Sequence, residues 1–214
     1  MSEGLLRVLL LVPIFLFSLC VHEFAHAWMA VRRGDLTPLK AGRLTLQPLA
    51  HADLFGTLLL PIFCIYYGWP FFGWAKPVPV DGSQMKNGRK DMALVAAAGP
   101  ASNILLGLLA TALLAGLIRI PIENDVLQTV QMFTLISIQV NLFLAFFNLI
   151  PIPPLDGFMV LQGFLPSHLA MKLYKISEYS NVILLVLLIS GGLRYLSIPV
   201  LYVFKSLITL AGVT

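Results

Sequence analysis

Residues 5–31 read LLRVLLLVPIFLFSLCVHEFAHAWMAV, and this stretch decides what kind of chain it belongs to. It is long enough to cross roughly 30 Å of hydrocarbon, which takes about 20 apolar residues. One early cation, Arg7, stands in it, and the run reaches Met29 and Val31 with no small-residue cleavage pattern. The segment is therefore expected to stay in the mature protein as a membrane span rather than leave as a signal peptide. Inside it stand His22, Glu23 and His26, ionisable side chains that are costly at membrane depth and mark function where they occur.

The remainder of the chain has the same character. Of 214 residues, 58% are hydrophobic and 11% charged, with a mean hydropathy of +0.89. A soluble domain carries about 25% charged residues, so this chain cannot cover a water-facing surface. A cytosolic globular enzyme, a secreted disulfide scaffold, a disordered tail and a nucleic-acid binder are excluded; the expected surroundings are a lipid bilayer. Cys20 and Cys64 lie in apolar runs without a C-x-x-C spacing and are expected as buried free thiols.

Further spans are expected over residues 92–118, 126–150, 176–193 and 196–213, the last two separated by Arg194 and Tyr195. Arg32, Arg33, Lys40 and Arg43 follow the first span, and Lys76, Lys86, Arg89 and Lys90 precede the second, so both loops read as cytoplasmic. The apolar segment between them, 53–74, must then enter and leave on one side. It reads as a re-entrant hairpin folded at Pro61 or near Gly68-Trp69-Pro70. Residues 36–49 alternate apolar and polar around Ala41-Gly42, which predicts a short β-hairpin. Prolines make residues 74–80 extended. The expected fold is an all-α polytopic membrane protein with five spanning helices, the re-entrant hairpin and a short membrane-associated β-hairpin. It forms one membrane-embedded domain over 1–214, with a core of 5–165 and a C-terminal helical pair over 170–214.

Histidines at i and i+4 share one helix face, so His22 and His26 can reach one metal ion. Glu23, beside the first of them, is placed to hold a water at that ion and accept its proton. The competing reading is that these groups only hydrogen-bond neighbouring helices. Catalytic zinc takes three protein ligands plus water, so a third must come from elsewhere; His51, Asp53, Asp91, Asp125 and Asp156 are the candidates. Asp91 lies among cations and Asp125 in an outer loop, so both read as solvated. Asp156 ends Asn148-Leu149-Ile150-Pro151-Ile152-Pro153-Pro154-Leu155-Asp156, just past a span, at the depth of the histidines. It is the chosen ligand, with helix N-capping as its bland alternative. His51 and Asp53 read as a local turn network, Asn103 and Asn141 as packing between helices, and His168 as solvated.

The His22-Glu23-Phe24-Ala25-His26 motif, with the later Asn-x-x-Pro and Leu-Asp-Gly, resembles the site-2 protease family of intramembrane zinc metalloproteases. Residues 97–103, Ala-Ala-Gly-Pro-Ala-Ser-Asn, are similar to that family's middle core helix. The resemblance covers about residues 5–165 and is nearest to small bacterial-type members built on the core, with no PDZ or CBS module visible. It implies one Zn2+ per chain held by His22, His26 and Asp156, with Glu23 as general base. It also implies an active site within a bacterial cell membrane, toward the cytoplasm. Asn148 belongs to the same motif and is expected to bind the substrate peptide or the oxyanion, or else to hydrogen-bond a neighbouring helix. The expected reaction is hydrolysis within a single-span transmembrane protein, for regulated proteolysis or clearance of signal-peptide remnants. An unwound substrate could add as a strand along residues 43–47 or 74–80. The alternatives are a membrane-anchored protease for soluble peptides, a metal transporter, and a catalytically silent metal-binding scaffold. The sequence leaves the oligomeric state open.

Overall fold

The computed structural model describes residues 3–68, 73–121 and 124–213, and among these it is helical with no strand. Helix α1 (Glu3–Arg33) is followed by two single turns, α2 (Thr37–Lys40) and α3 (Pro48–His51). Then comes α4, π-helical over Leu54–Leu59 and α-helical over Leu60–Tyr67. The long helices α5 (Arg89–Ile118) and α6 (Asp125–Asn148) lead to four shorter ones: α7 (Asp156–Phe164), α8 (Ser167–Ile176), α9 (Ser180–Ile189) and α10 (Ser197–Ala211).

Helix α5 is the centre of the bundle and packs against α1, α6, α7 and α10. Its buried stripe runs Ala96, Gly99, Asn103, Gly107, Thr111 and Leu114. Small residues at this spacing let helices approach closely where lipid offers no hydrophobic drive for association. Helices α1 and α6 both run antiparallel to it: His22 meets Asn103 and His26 meets Val95, while Asn141 meets Asn103 and Gln131 reaches Leu117. One apolar cluster joins Leu114, Ile138, Leu142, Val200 and Ala211 between α5, α6 and α10. Another joins Phe15 and Leu19 of α1 to Leu144 of α6.

Among the described residues, four helices are long and apolar enough to cross a membrane, over Leu9–Arg33, Arg89–Ile118, Asp125–Asn148 and Arg194–Ala211. The fifth expected span, 176–193, is broken. Helix α8 ends at Ile176, a 3-10 turn (Ser177–Tyr179) follows, and α9 has ten residues, about 15 Å at 1.5 Å each. The hydroxyls of Ser177 and Ser180 bond back to Tyr174 and Ser177 carbonyls, the local competition by which serine interrupts a helix.

The β-hairpin expected over 36–49 is also absent. Pro38 and Pro48 each sit in the first turn of α2 and α3, where a missing N–H costs nothing. Gly42 turns the chain at φ +67°, and the buried Arg43 guanidinium donates to the carbonyls of Ala50 and Lys76. A compact loop thus takes the place of a ladder, and the expected strand edge at 43–47 goes with it.

Helix α4 begins at Asp53, whose carboxylate accepts from the N–H groups of Phe55 and Gly56. The helix runs unbroken through Pro61 and ends at Gly68, φ +68°. The other expected fold point, at Trp69-Pro70, lies outside the described residues. From Gly73 the chain runs without regular secondary structure and lies against the start of α4. Trp74 N–H donates to Gly56 O at 3.0 Å, Lys76 N–H to His51 O at 2.9 Å, and Thr57 Oγ to Trp74 O at 2.7 Å. Gly56 permits this closure, since a Cβ there would lie inside the Trp74 indole.

Candidate metal centre

The first histidine, His22, is 3% exposed and His26 8%. Both project from α1 toward α5 at Gly99, where an added Cβ would collide with the His26 ring and come within 2.6 Å of His22 Cε1. His22 Nδ1 lies 2.6 Å from Asn103 Oδ1, and His26 Nδ1 lies 2.7 Å from the carbonyl of Val95. The Asn103 amide is oriented by Ser18 O, which only accepts and therefore takes Nδ2, turning Oδ1 to the imidazole. Both Nδ1 atoms face acceptors, so both carry the proton, and in the neutral rings both Nε2 atoms present bare lone pairs. Those two lone pairs are 3.0 Å apart.

Asp156 closes the third side. Its carboxylate oxygens lie 3.1 Å from His22 Nε2 and 3.4 Å from His26 Nε2. Oδ2 is buried and accepts no hydrogen bond. Asp156 is the first residue of α7, and the N-cap position falls on Leu155, so the capping reading does not hold. The chain can turn there because Gly157 packs on the carbonyls of Leu149 and Ile150 with no room for a Cβ.

Donor atoms of His22, His26 and Asp156 all lie within 4.8 Å of one another. Three converging lone pairs, one on an orphaned buried oxygen, repel one another unless a cation stands among them. Two imidazoles and a carboxylate, with a side left open, are a donor set for catalytic zinc. These residues therefore fit the ion.

The open side is a cavity of about 870 Å³, lined by α1, α5, α6, α7, α9 and the segment from Gly73 to Val80. Glu23 lines it, and its Oε2 accepts from Val78 N–H at 3.2 Å. Asn148 lines it as well, with its Nδ2 donating to Leu144 O of its own helix rather than to a neighbouring one.

The remaining sequence candidates lie elsewhere. His51 donates to Thr45 O, and Asp53 starts α4, so the two serve the local loop. Asp125 and His168 are exposed. Asp91, expected in solvent, is instead 2% exposed; it accepts from Asn87 N–H and lies 3.8 Å from Arg33, tying the base of α5 to the end of α1. Cys20 and Cys64 are buried and free. Sequence reasoning missed Asn103 as a partner of His22. The signals were its place one turn beyond Gly99 on the small-residue face and its position at the end of the 97–103 stretch.

Comparison with known proteins gives a family and several relatives. The family described as Peptidase family M50 matches residues 111–190, which include Asp156. "Putative zinc metalloprotease YwhC" of Bacillus subtilis is 36% identical, over 89% of this chain and 85% of the relative. Two proteins bearing the same description under the name Rip2 are also similar. The one from Mycolicibacterium smegmatis is 31% identical, over 92% of this chain and 73% of its own length. The one from Mycobacterium tuberculosis is 32% identical, over 84% and 66%. No solved structure matches the chain significantly.

Proposed function

Because the chain belongs to peptidase family M50, the site-2 proteases, and is a zinc metalloprotease of the membrane, we propose that it hydrolyses peptide bonds of single-span membrane proteins from within the bilayer. The observation that carries this is the meeting of His22, His26 and Asp156 between apolar helices, beside a cavity that also holds Glu23. In this reading the three side chains hold one zinc, and the whole chain acts as one membrane-embedded unit. When bound, zinc supplies a Lewis acid at the scissile carbonyl and lowers the pKa of water to about 7.

Glu23 takes a proton from the attacking water as its oxygen bonds to the carbonyl carbon. It then returns that proton to the amide nitrogen as the C–N bond breaks. Val78 N–H holds one carboxylate oxygen of Glu23 in place. Asn148, at the cavity wall, serves the substrate main chain or the developing oxyanion. Residues 74–80, extended along the cavity, offer an edge to which a locally unwound substrate adds as a strand.

Topology follows from the same frame. Helix α4 is six π and eight α residues, about 20 Å, too short for 30 Å of hydrocarbon, and its return segment is bonded to its own start. These facts support a re-entrant excursion from the cytoplasmic side of a bacterial cell membrane, with the metal centre toward that side. The test is Glu23→Gln, co-reconstituted with a single-span reporter. Cleavage is expected to stop while zinc stays bound at one per chain, and persistent cleavage refutes the assignment.

A further inference from the structure

We infer that Asn103, held by Asn141, is a positioning residue that fixes the tautomer and ring angle of His22 and so sets zinc affinity from the α5–α6 interface. The inference rests on the metal reading above and goes beyond it to two residues of other helices. Asn103 is fully buried and Asn141 is 1% exposed. Asn103 Oδ1 accepts from His22 Nδ1 at 2.6 Å. Its Nδ2 donates to Asn141 Oδ1 at 2.9 Å and to Ser18 O at 3.3 Å. Asn141 in turn donates to Ser137 O at 2.9 Å. Every bond has a fixed direction, because Ser18 O and Ser137 O accept only. The relay therefore crosses α6, α5 and α1 with one arrangement open to it, and that arrangement leaves His22 Nε2 bare toward Asp156.

His26 receives the same service from a main-chain carbonyl, Val95 O, which no substitution removes. His22 depends on a side chain, so its orientation can be tested. Losing the group that orients a metal-bound histidine costs 10–100-fold in metal affinity.

The experiment measures zinc affinity of the purified protein in detergent by competition with a chromophoric chelator. The visible spectrum of the cobalt-substituted protein is recorded alongside. Asn103→Leu and Asn103→Ala both remove the acceptor, and whichever is recovered folded should bind zinc about 10–100-fold more weakly with shifted cobalt bands. Asn103→Asp keeps an acceptor toward His22 but sets its second oxygen against Ser18 O and Asn141 Oδ1, so it should bind zinc more tightly than the acceptor-less variants and less tightly than wild type. Asn141→Ala, which leaves the Asn103–His22 bond but not its support, should fall between. Equal affinity and an unchanged cobalt spectrum in the acceptor-less variants overturn the relay, provided His22→Ala abolishes tight binding. If His22→Ala binds zinc as wild type does, the metal reading falls and the relay with it.

Discussion

Val78 supplies the only main-chain N–H between residues 77 and 79, because Pro77 and Pro79 have none, and that N–H goes to Glu23. A hydrogen bond to a charged group contributes about 1.5–3 kcal/mol. Val78→Pro is therefore expected to slow reporter cleavage about 10–100-fold, with zinc content unchanged, while Val78→Ala, which keeps the N–H, cleaves at nearly the wild-type rate. Initial rates with metal analysis of the same preparations check both. Gly99 sets a different limit. A methyl there falls on the His26 ring and against His22, so Gly99→Ala must push α5 off α1 or turn the imidazoles away. Its expected outcome is loss of stoichiometric zinc on purification, read by elemental analysis.

At the scale of elements, Trp74 and Lys76 bond back to Gly56 and His51, and a re-entrant α4 as proposed would put exposed Lys40 and Lys86 in the same compartment. Cysteines placed there are expected to react from the cytoplasmic side with a membrane-impermeant maleimide, and one at Asp125 from the opposite side. Opposite labelling of positions 40 and 86 makes α4 a spanning helix. The return itself hangs on Thr57, which accepts from Asp53 N–H and donates to Trp74 O. In the sequence the proposed excursion rests on an imbalance of cations, a long-range constraint that survives ignorance of contacts. The sequence carried the β-hairpin at 36–49 only as two short alternating runs around Ala41-Gly42, which helical turns opened by proline satisfy as well. The fifth span failed for a related reason. Hydropathy is blind to serine hydroxyls that bond to the backbone, and Ser177 and Ser180 break the run. That His22, His26 and Asp156 would come together was legible because such side chains are rare in apolar sequence. Asn103 was not, because its role depends on the register of α5 against α1, which no local pattern encodes.

For the molecule as a whole, the metal centre joins parts that little else connects. His22 and His26 belong to α1 and Asp156 to α7, yet α1 and α7 meet mainly through α5, which packs on both. The loop before Asp156 holds itself by short-range bonds, Ile152 N–H to Ile150 O and Leu155 N–H to Ile152 O. An ion held by all three would clasp the first helix to the chain beyond the third long one, and would bind only with both in place. Ligand binding confined to the folded state stabilises by RT ln(1 + [L]/Kd), about 4 kcal/mol at a thousandfold excess over Kd. Removing zinc with a chelator is therefore expected to lower the unfolding temperature in detergent. It should also raise protease sensitivity at residues 149–155 before the α5–α6 pair opens, since that pair has its own apolar cluster with α10. Asp156→Ala should show the same loosening with or without the chelator. If wild type and Asp156→Ala unfold at the same temperature in saturating zinc, the ion does not bridge the two segments, and α5 alone holds them together.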